Sequence, residues 1–259
     1  MPHNDLTMIE VGSATARRMI AVRRSSGRAP NLLWLGGFKS DMQGTKAVAI
    51  NAWARQMGRA CIRFDYSGHG ESEGSFDDGT IGRWLEESCA VFGKFCDGPT
   101  IAIGSSMGGW ISLLLARALR ERQFQTTGTL TGLVLLAPAV DFTEALMWQR
   151  FPENVKQQIV QTGYWERPSA YSEAPYRITR ALIEDGRKHL LLDGLIETGC
   201  PVRILQGVRD DDVPWEHAVS LVSRIARDDV VLTLVKDGDH RLSRPEDIDR
   251  LLTAIAEFS

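Results

Sequence analysis

TIAIGSSMGGWISLLLARALR, residues 100–120, passes from a short apolar run into a helical pattern through the turn Gly104-Ser105-Ser106-Met107-Gly108. The apolar run 100–103 has strand length, and a helical pattern follows it from Trp110 to Arg120. A serine between strand and helix, with small residues closing both ends, sits in a sharp turn that lifts its hydroxyl above a sheet. Ser106 is therefore the candidate nucleophile. The same five-residue spacing recurs at Gly70-Glu71-Ser72-Glu73-Gly74. There no strand enters and no helix leaves, and two carboxylates would oppose an alkoxide rather than help it form. Ser72 is read as a loop residue.

Outward from residues 100–120, short apolar runs recur at 31–35, 60–64, 130–136, 202–206 and 230–235. They do not alternate, which suits strands buried on both faces of a parallel sheet. Residues 6–10 and 17–22 flank Gly12-Ser13 and read as an antiparallel opening pair. Helical patterns fill the gaps. Residues 45–57 end at Gly58, a helix-terminating glycine. Over 81–95 a stripe is formed by Ile81, Trp84, Leu85, Ser88, Phe92 and Phe95. The last helix opens at Ser243-Arg244-Pro245-Glu246, read as a capping box, and is expected to bury Ile248, Leu251, Leu252, Ile255 and Phe258. Strand–helix alternation predicts a doubly wound α/β fold with a mostly parallel, eight-stranded sheet.

One connection is too long for that pattern. Residues 141–199 contain helix-like pieces at 154–161 and 176–189, no expected strand, and aromatics at Trp148, Phe151, Tyr164, Trp165, Tyr171 and Tyr176. Connections in such folds are usually about 2–6 residues. The segment is therefore expected to be a helical lid inserted after the sixth strand, with 1–140 and 200–259 forming the core.

Bulk composition narrows the function classes. The 259 residues are 43% hydrophobic and 24% charged, with a formal net charge of −3, so no basic surface points to nucleic acid. No apolar run reaches the roughly 20 residues of a membrane-spanning helix, so no integral membrane association is expected. Residues 1–10 carry Asp5 and Glu10 and no apolar stretch, unlike a signal peptide or a targeting helix. Cys61, Cys89, Cys96 and Cys200 lie in or beside apolar runs without metal-ligand spacing. They read as buried free thiols in a reducing compartment, and the expected location is cytoplasmic.

A serine hydroxyl needs a base, and the base an orienting carboxylate. Downstream of Ser106 the histidines are His189, His217 and His240. His240 lies in a polar loop between the last strand and the last helix, while His189 and His217 read as surface residues. Three adjacent carboxylates, Asp210, Asp211 and Asp212, follow the run 202–206. Consecutive residues cannot easily converge on one ion, so neither a metal nor a cofactor is expected.

These motifs together resemble the α/β-hydrolase superfamily over nearly the whole chain. Asp65-Tyr66-Ser67-Gly68-His69-Gly70-Glu71-Ser72 is similar to the superfamily's D-x-x-G-x-G-x-S loop. The resemblance implies the chain order serine, acid, histidine. It places the acid by the register G-x-x-D-x-x-V-P at Asp210, leaves Asp212 to cap the following helix, and makes His240 the base. It also implies an oxyanion hole from the backbone N–H groups of Met107 and, in the loop Gly36-Gly37-Phe38-Lys39-Ser40-Asp41, of Phe38. A narrower resemblance is to the mitochondrial palmitoyl-protein thioesterases of the α/β-hydrolase domain-containing group and their bacterial relatives. It is carried by residues 35–47, 61–68, 104–110 and 211–215. It implies hydrolysis of carboxylic acyl esters or thioesters, small-molecule or protein-linked, through an acyl-enzyme. A carbon–carbon bond hydrolase of ring-cleavage products, and a non-catalytic ligand-binding member, are the alternatives.

Overall fold

The computed structural model describes residues 5–13, 15–167, 175–226 and 229–258. Strands β1 (Asp5–Val11), β2 (Arg18–Ser25) and β3 (Arg28–Leu35) precede helix α1 (Thr45–Gln56) and strand β4 (Arg59–Phe64). Then α2 (Ile81–Phe95), β5 (Gly98–Ser105), α3 (Met107–Arg120) and β6 (Gly128–Leu136) alternate. The segment after β6 carries α4 (Glu153–Thr162), β7 (Tyr164–Arg167), β8 (Tyr176–Thr179) and α5 (Arg180–Gly186). The chain closes with β9 (Val202–Gly207), α6 (Trp215–Arg224), β10 (Val230–Val235) and α7 (Pro245–Ala256). The eight-stranded sheet runs β1-β2-β4-β3-β5-β6-β9-β10. Only the β1/β2 and β2/β4 pairings are antiparallel, so β2 is the one strand reversed in a mostly parallel sheet.

The absence of alternation in the strand runs has a direct cause. In β3, Leu32 and Trp34 pack with Ala47, Ile50, Leu251 and Ile255 from α1 and α7, while Leu33 and Leu35 pack with Trp84, Phe92, Trp110 and Leu114 from α2 and α3. Side chains alternate along a strand, so a sheet covered on both faces needs apolar residues at every position. Each fully buried large aliphatic or aromatic side chain contributes about 1.5–3 kcal/mol.

Several local expectations are corrected. The segment 141–199 is not strand-free: β7 and β8 form an antiparallel hairpin, with Trp165 opposite Ile178. Residues 176–189 are consequently not one helix but β8, α5 and a final 3₁₀ turn over Arg187–His189. Tyr171 lies outside the described residues. Helix α7 starts one residue later than expected. Its capping box pairs Arg244 with Asp247, not Ser243 with Glu246, and Ile248, Leu252 and Phe258 are half-buried. In α2, Leu85 and Phe95 are likewise half-buried, whereas Glu87 and Val91 are buried. Glu87 tolerates the interior because Arg18 and Ser67 bond both of its carboxylate oxygens. All four cysteines are free, three buried and Cys89 half-buried, and burial pushes the thiols of Cys61, Cys89 and Cys96 up to about 12. Among the described residues no helix is long and apolar enough to cross a membrane.

Candidate active site

Parallel strands end on one edge of the sheet, and the loops beyond their carboxyl ends are the usual place for a ligand. Four such loops converge here, following β3, β5, β9 and β10. The turn after β5 puts Ser106 at φ 54 and ψ −116, outside the regions open to most side-chain-bearing residues. Such strain, of order 1–3 kcal/mol, persists only where neighbours hold it. Ser106 N–H donates to the Leu136 carbonyl of β6 at 2.8 Å, and its own carbonyl accepts from Gly109 and Ala139 at 2.9 and 3.1 Å. A Cβ on Gly108 would stand 2.1 Å from the Leu35 carbonyl oxygen. Only glycine lets α3 start that close to β3.

The expected partners come together at this turn. His240 Nε2 lies 3.1 Å from Ser106 Oγ, and His240 Nδ1 lies 2.8 Å from Asp210 Oδ2. Asp210 is fixed in turn. Its Oδ1 accepts from the N–H groups of Asp212 and Val213 at 3.0 and 2.8 Å, and its Oδ2 accepts from Gln206 Nε2 at 3.1 Å. Gln206, at the end of the run 202–206, carries no role that the sequence discloses. Asp211 makes no contact of this kind. Asp212 does not cap α6; Pro214 occupies the N-cap position without a side-chain cap. On the far side of the histidine, the Lys46 ammonium donates to the Arg241 carbonyl, and burial pulls that ammonium down to about 8. His217 and His189 are half-buried rather than on the surface. His217 Nε2 bonds the Val140 carbonyl at 2.8 Å, and His189 Nε2 approaches Asp185 at 3.7 Å.

The loop after β3 crosses the serine turn. A Cβ on Gly37 would stand 3.4 Å from Ser106 Cβ, so this backbone approaches the turn directly. Met107 opens α3, where an N–H has no partner within its helix. Two bonds from the loop after β4 hold the crossing loop: Lys39 N–H donates to His69 Nε2 at 3.1 Å and Met42 N–H to Asp65 Oδ1 at 2.7 Å. From sequence that loop reads as a structural turn, and neither tether is legible in it, although Asp65 and His69 stand in the motif.

A pocket of about 770 Å³ opens over Ser106, His240 and Met107. From the segment after β6 its lining takes the apolar side chains of Phe142, Leu146, Met147, Phe151, Trp165 and Tyr176, together with Arg150 and Arg167. From the core it takes the polar side chains of Asp41, Lys46, Arg241 and Ser243. The Phe38 ring joins core to segment by edge contacts with Phe76, Phe142 and Tyr176 at 4.8, 5.6 and 5.9 Å. Among the described residues the group spaced to hold a cation is Asp210, Asp212 and His240. An ion there would have to displace the bonds that orient Asp210.

Comparison with known proteins agrees with this architecture. Residues 34–251 match the model of the alpha/beta hydrolase family. The mitochondrial palmitoyl-protein thioesterase ABHD10 of Homo sapiens is 35% identical over 240 residues, covering 92% of this chain and 76% of the relative. Its mitochondrial name lends nothing to a cytoplasmic location. An Agrobacterium vitis S4 structure, described only as a hydrolase, has 48% identity and a TM-score of 0.95, covering 98% of both chains. The structure of mouse alpha/beta hydrolase domain-containing protein 10 has 33% identity and a TM-score of 0.85, with 97% of both chains covered. Strand order, the strained turn after β5 and these matches lead to one conclusion: the chain belongs to the alpha/beta hydrolase family.

Proposed function

We propose that the protein hydrolyses acyl thioesters or esters through a covalent acyl-enzyme on Ser106. The observation that carries this reading is the hydrogen-bonded series Ser106 Oγ, His240 Nε2, His240 Nδ1, Asp210 Oδ2, at 3.1 and 2.8 Å. In it His240 Nε2 takes the Ser106 proton as Oγ attacks the acyl carbonyl carbon. Asp210 keeps the Nδ1 proton in place and stabilises the imidazolium. The carbonyl oxygen becomes an oxyanion and is received by the N–H groups of Phe38 and Met107, each worth about 2.7–4 kcal/mol. His240 then returns its proton to the departing thiolate or alkoxide. Water, deprotonated by His240, releases the acid and restores Ser106.

The mixed lining of the pocket supports an acyl substrate. The apolar side chains of residues 141–199, acting as a lid, take the acyl chain, and the polar side chains face the leaving group. The relatives named as palmitoyl-protein thioesterases favour a long chain and a thioester, including one on a protein cysteine. The test is turnover of p-nitrophenyl esters and of acyl thioesters of graded length, with labelling by a fluorophosphonate probe. We expect turnover to rise with chain length and labelling to vanish in Ser106→Ala. Near-wild-type turnover in that variant would overturn the assignment.

A further inference from the structure

Lys39 follows the proposed oxyanion donor and adopts φ 58, the left-handed region that side-chain-bearing residues enter only under constraint. Two hydrogen bonds supply the constraint. Ser40 N–H donates to the Gly37 carbonyl at 3.1 Å. A trans peptide is planar, so fixing that carbonyl aims the Phe38 N–H the opposite way. Lys39 N–H donates to His69 Nε2 at 3.1 Å, which pins the next peptide plane.

The imidazole is built for that acceptor role. Its Nδ1 lies 3.1 Å from the Ser67 carbonyl, which only accepts, so Nδ1 carries the proton and Nε2 is bare. The ring is 5% exposed, and burial pulls its conjugate acid down to about 4. Edge contacts with Phe76, Trp84 and Tyr66, at 5.2, 5.4 and 5.8 Å, prevent it from turning. Ser67 is itself anchored. Trp84 Nε1 donates to its carbonyl at 3.2 Å, and its N–H and Oγ donate to Glu87 at 2.9 and 2.6 Å. Arg18 of β2 completes the buried series by pairing with Glu87.

The geometry points to His69 as a positioning residue: through its bare Nε2 it holds the Lys39 peptide, and thereby the Phe38 N–H, in the orientation that receives the oxyanion. This rests on the proposed roles of Ser106 and Phe38. His69 touches no substrate in this scheme. Without its nitrogen the Lys39 N–H loses its acceptor, Lys39 relaxes away from φ 58, and the neighbouring peptides turn with it. The transition state suffers, while ground-state binding among the apolar side chains of the pocket does not.

The test compares His69→Leu, which has no acceptor, with His69→Gln, whose side-chain oxygen reaches the place of Nε2. His69→Leu should lower kcat about 10–100-fold, less than the roughly 100–1,000-fold of deleting a donor outright. KM should stay within about 2-fold, and His69→Gln should recover kcat to within about 5-fold of wild type. Wild-type kcat in His69→Leu, equal damage in both variants, or a raised KM at unchanged kcat would each overturn the proposal. If His69→Leu does not fold, the wild-type protein still decides. Its imidazole ¹H–¹⁵N spectrum should show a protonated Nδ1 and a bare Nε2 coupled to the Lys39 amide nitrogen, and a protonated Nε2 overturns it. A wild-type chain that neither turns over an acyl substrate nor labels at Ser106 removes the underlying reading, a result distinct from all of these.

Discussion

Two turns of this chain share the spacing G-x-S-x-G, and their serines have opposite surroundings. Ser72 is held by its hydroxyl: Oγ donates to the Asp65 carbonyl at 2.6 Å and accepts from Ala21 N–H at 2.8 Å. The proton and one lone pair are engaged by backbone, and the loop is stitched to β2. Ser106 is held by its backbone instead, through Leu136, Gly109 and Ala139, which leaves Oγ to face His240. A structural serine uses its side chain to satisfy main chain. A reactive one must be positioned by everything except its side chain.

The widest separation between the turns is in turnover. Ser106→Ala should abolish hydrolysis, a loss on the order of 10⁶-fold when the nucleophile of such a triad is removed. Ser72→Ala should leave the turnover number nearly intact and lower stability by about 1–2 kcal/mol through two lost hydrogen bonds, read from thermal or urea unfolding. The next effect tests which carboxylate serves the first turn. Asp210→Asn should cut turnover about 10⁴-fold, whereas Asp211→Asn should fall within a few-fold of wild type. Greater damage from Asp211→Asn would move the acid one residue along.

The closing glycines separate the turns by stability. Gly108→Ala forces a Cβ to 2.1 Å from the Leu35 carbonyl, while Gly74→Ala meets nothing nearer than 3.5 Å and suffers only from its φ of 98. Gly108→Ala should cost about 3 kcal/mol and Gly74→Ala about 1–2 kcal/mol, with unfolding midpoints as the measure. The smallest effect is the pH response of the second loop. His69 is held near 4, below the ordinary histidine value of 6.5, so the unfolded chain binds the extra proton between those limits. Stability from this group is complete above about pH 6.5 and is lost as pH falls toward about 4, by up to about 3 kcal/mol. The difference in unfolding free energy between wild type and His69→Gln should narrow over that window. A difference independent of pH would show that the ring titrates normally.

Much of the sheet was legible because a strand covered on both faces leaves an uninterrupted apolar run. The runs at 31, 60, 100 and 202 fall inside β3, β4, β5 and β9, whereas the run 230–235 coincides with β10, an edge strand whose Val231 and Leu234 are exposed. The strand and helix around Ser106 were legible for the same local reason. The hairpin of β7 and β8 was not. Its four-residue strands are too short for a periodic signal, and only their pairing with each other makes them strands. The polar residues of the interior were also missed. Glu87 lies outside the stripe expected of α2 yet is buried, and Arg18, 69 residues away, makes it tenable. Gln206 is similar: a polar residue ending a strand has no evident role until Asp210 turns back beside it.

By itself the sequence determined the order of the core strands and helices, the likeness of residues 104–108 to a strand–turn–helix serine, and, through resemblance to a known superfamily, the candidates Asp210 and His240. The elements depend on local periodicity and on neighbours within a few positions, and the choice of Asp210 and His240 on the register and chain order that the resemblance implies. Tertiary structure alone decided that Ser106, Asp210 and His240 meet, because pairs separated by 134 and 30 residues depend on how the sheet winds. It also decided that His69 reaches the Lys39 peptide and that apolar side chains from the segment after β6 line the pocket over Ser106. Hydrogen bonds between distant loops leave no periodicity in the chain. They appear only when the sheet has brought the ends of its strands to one edge.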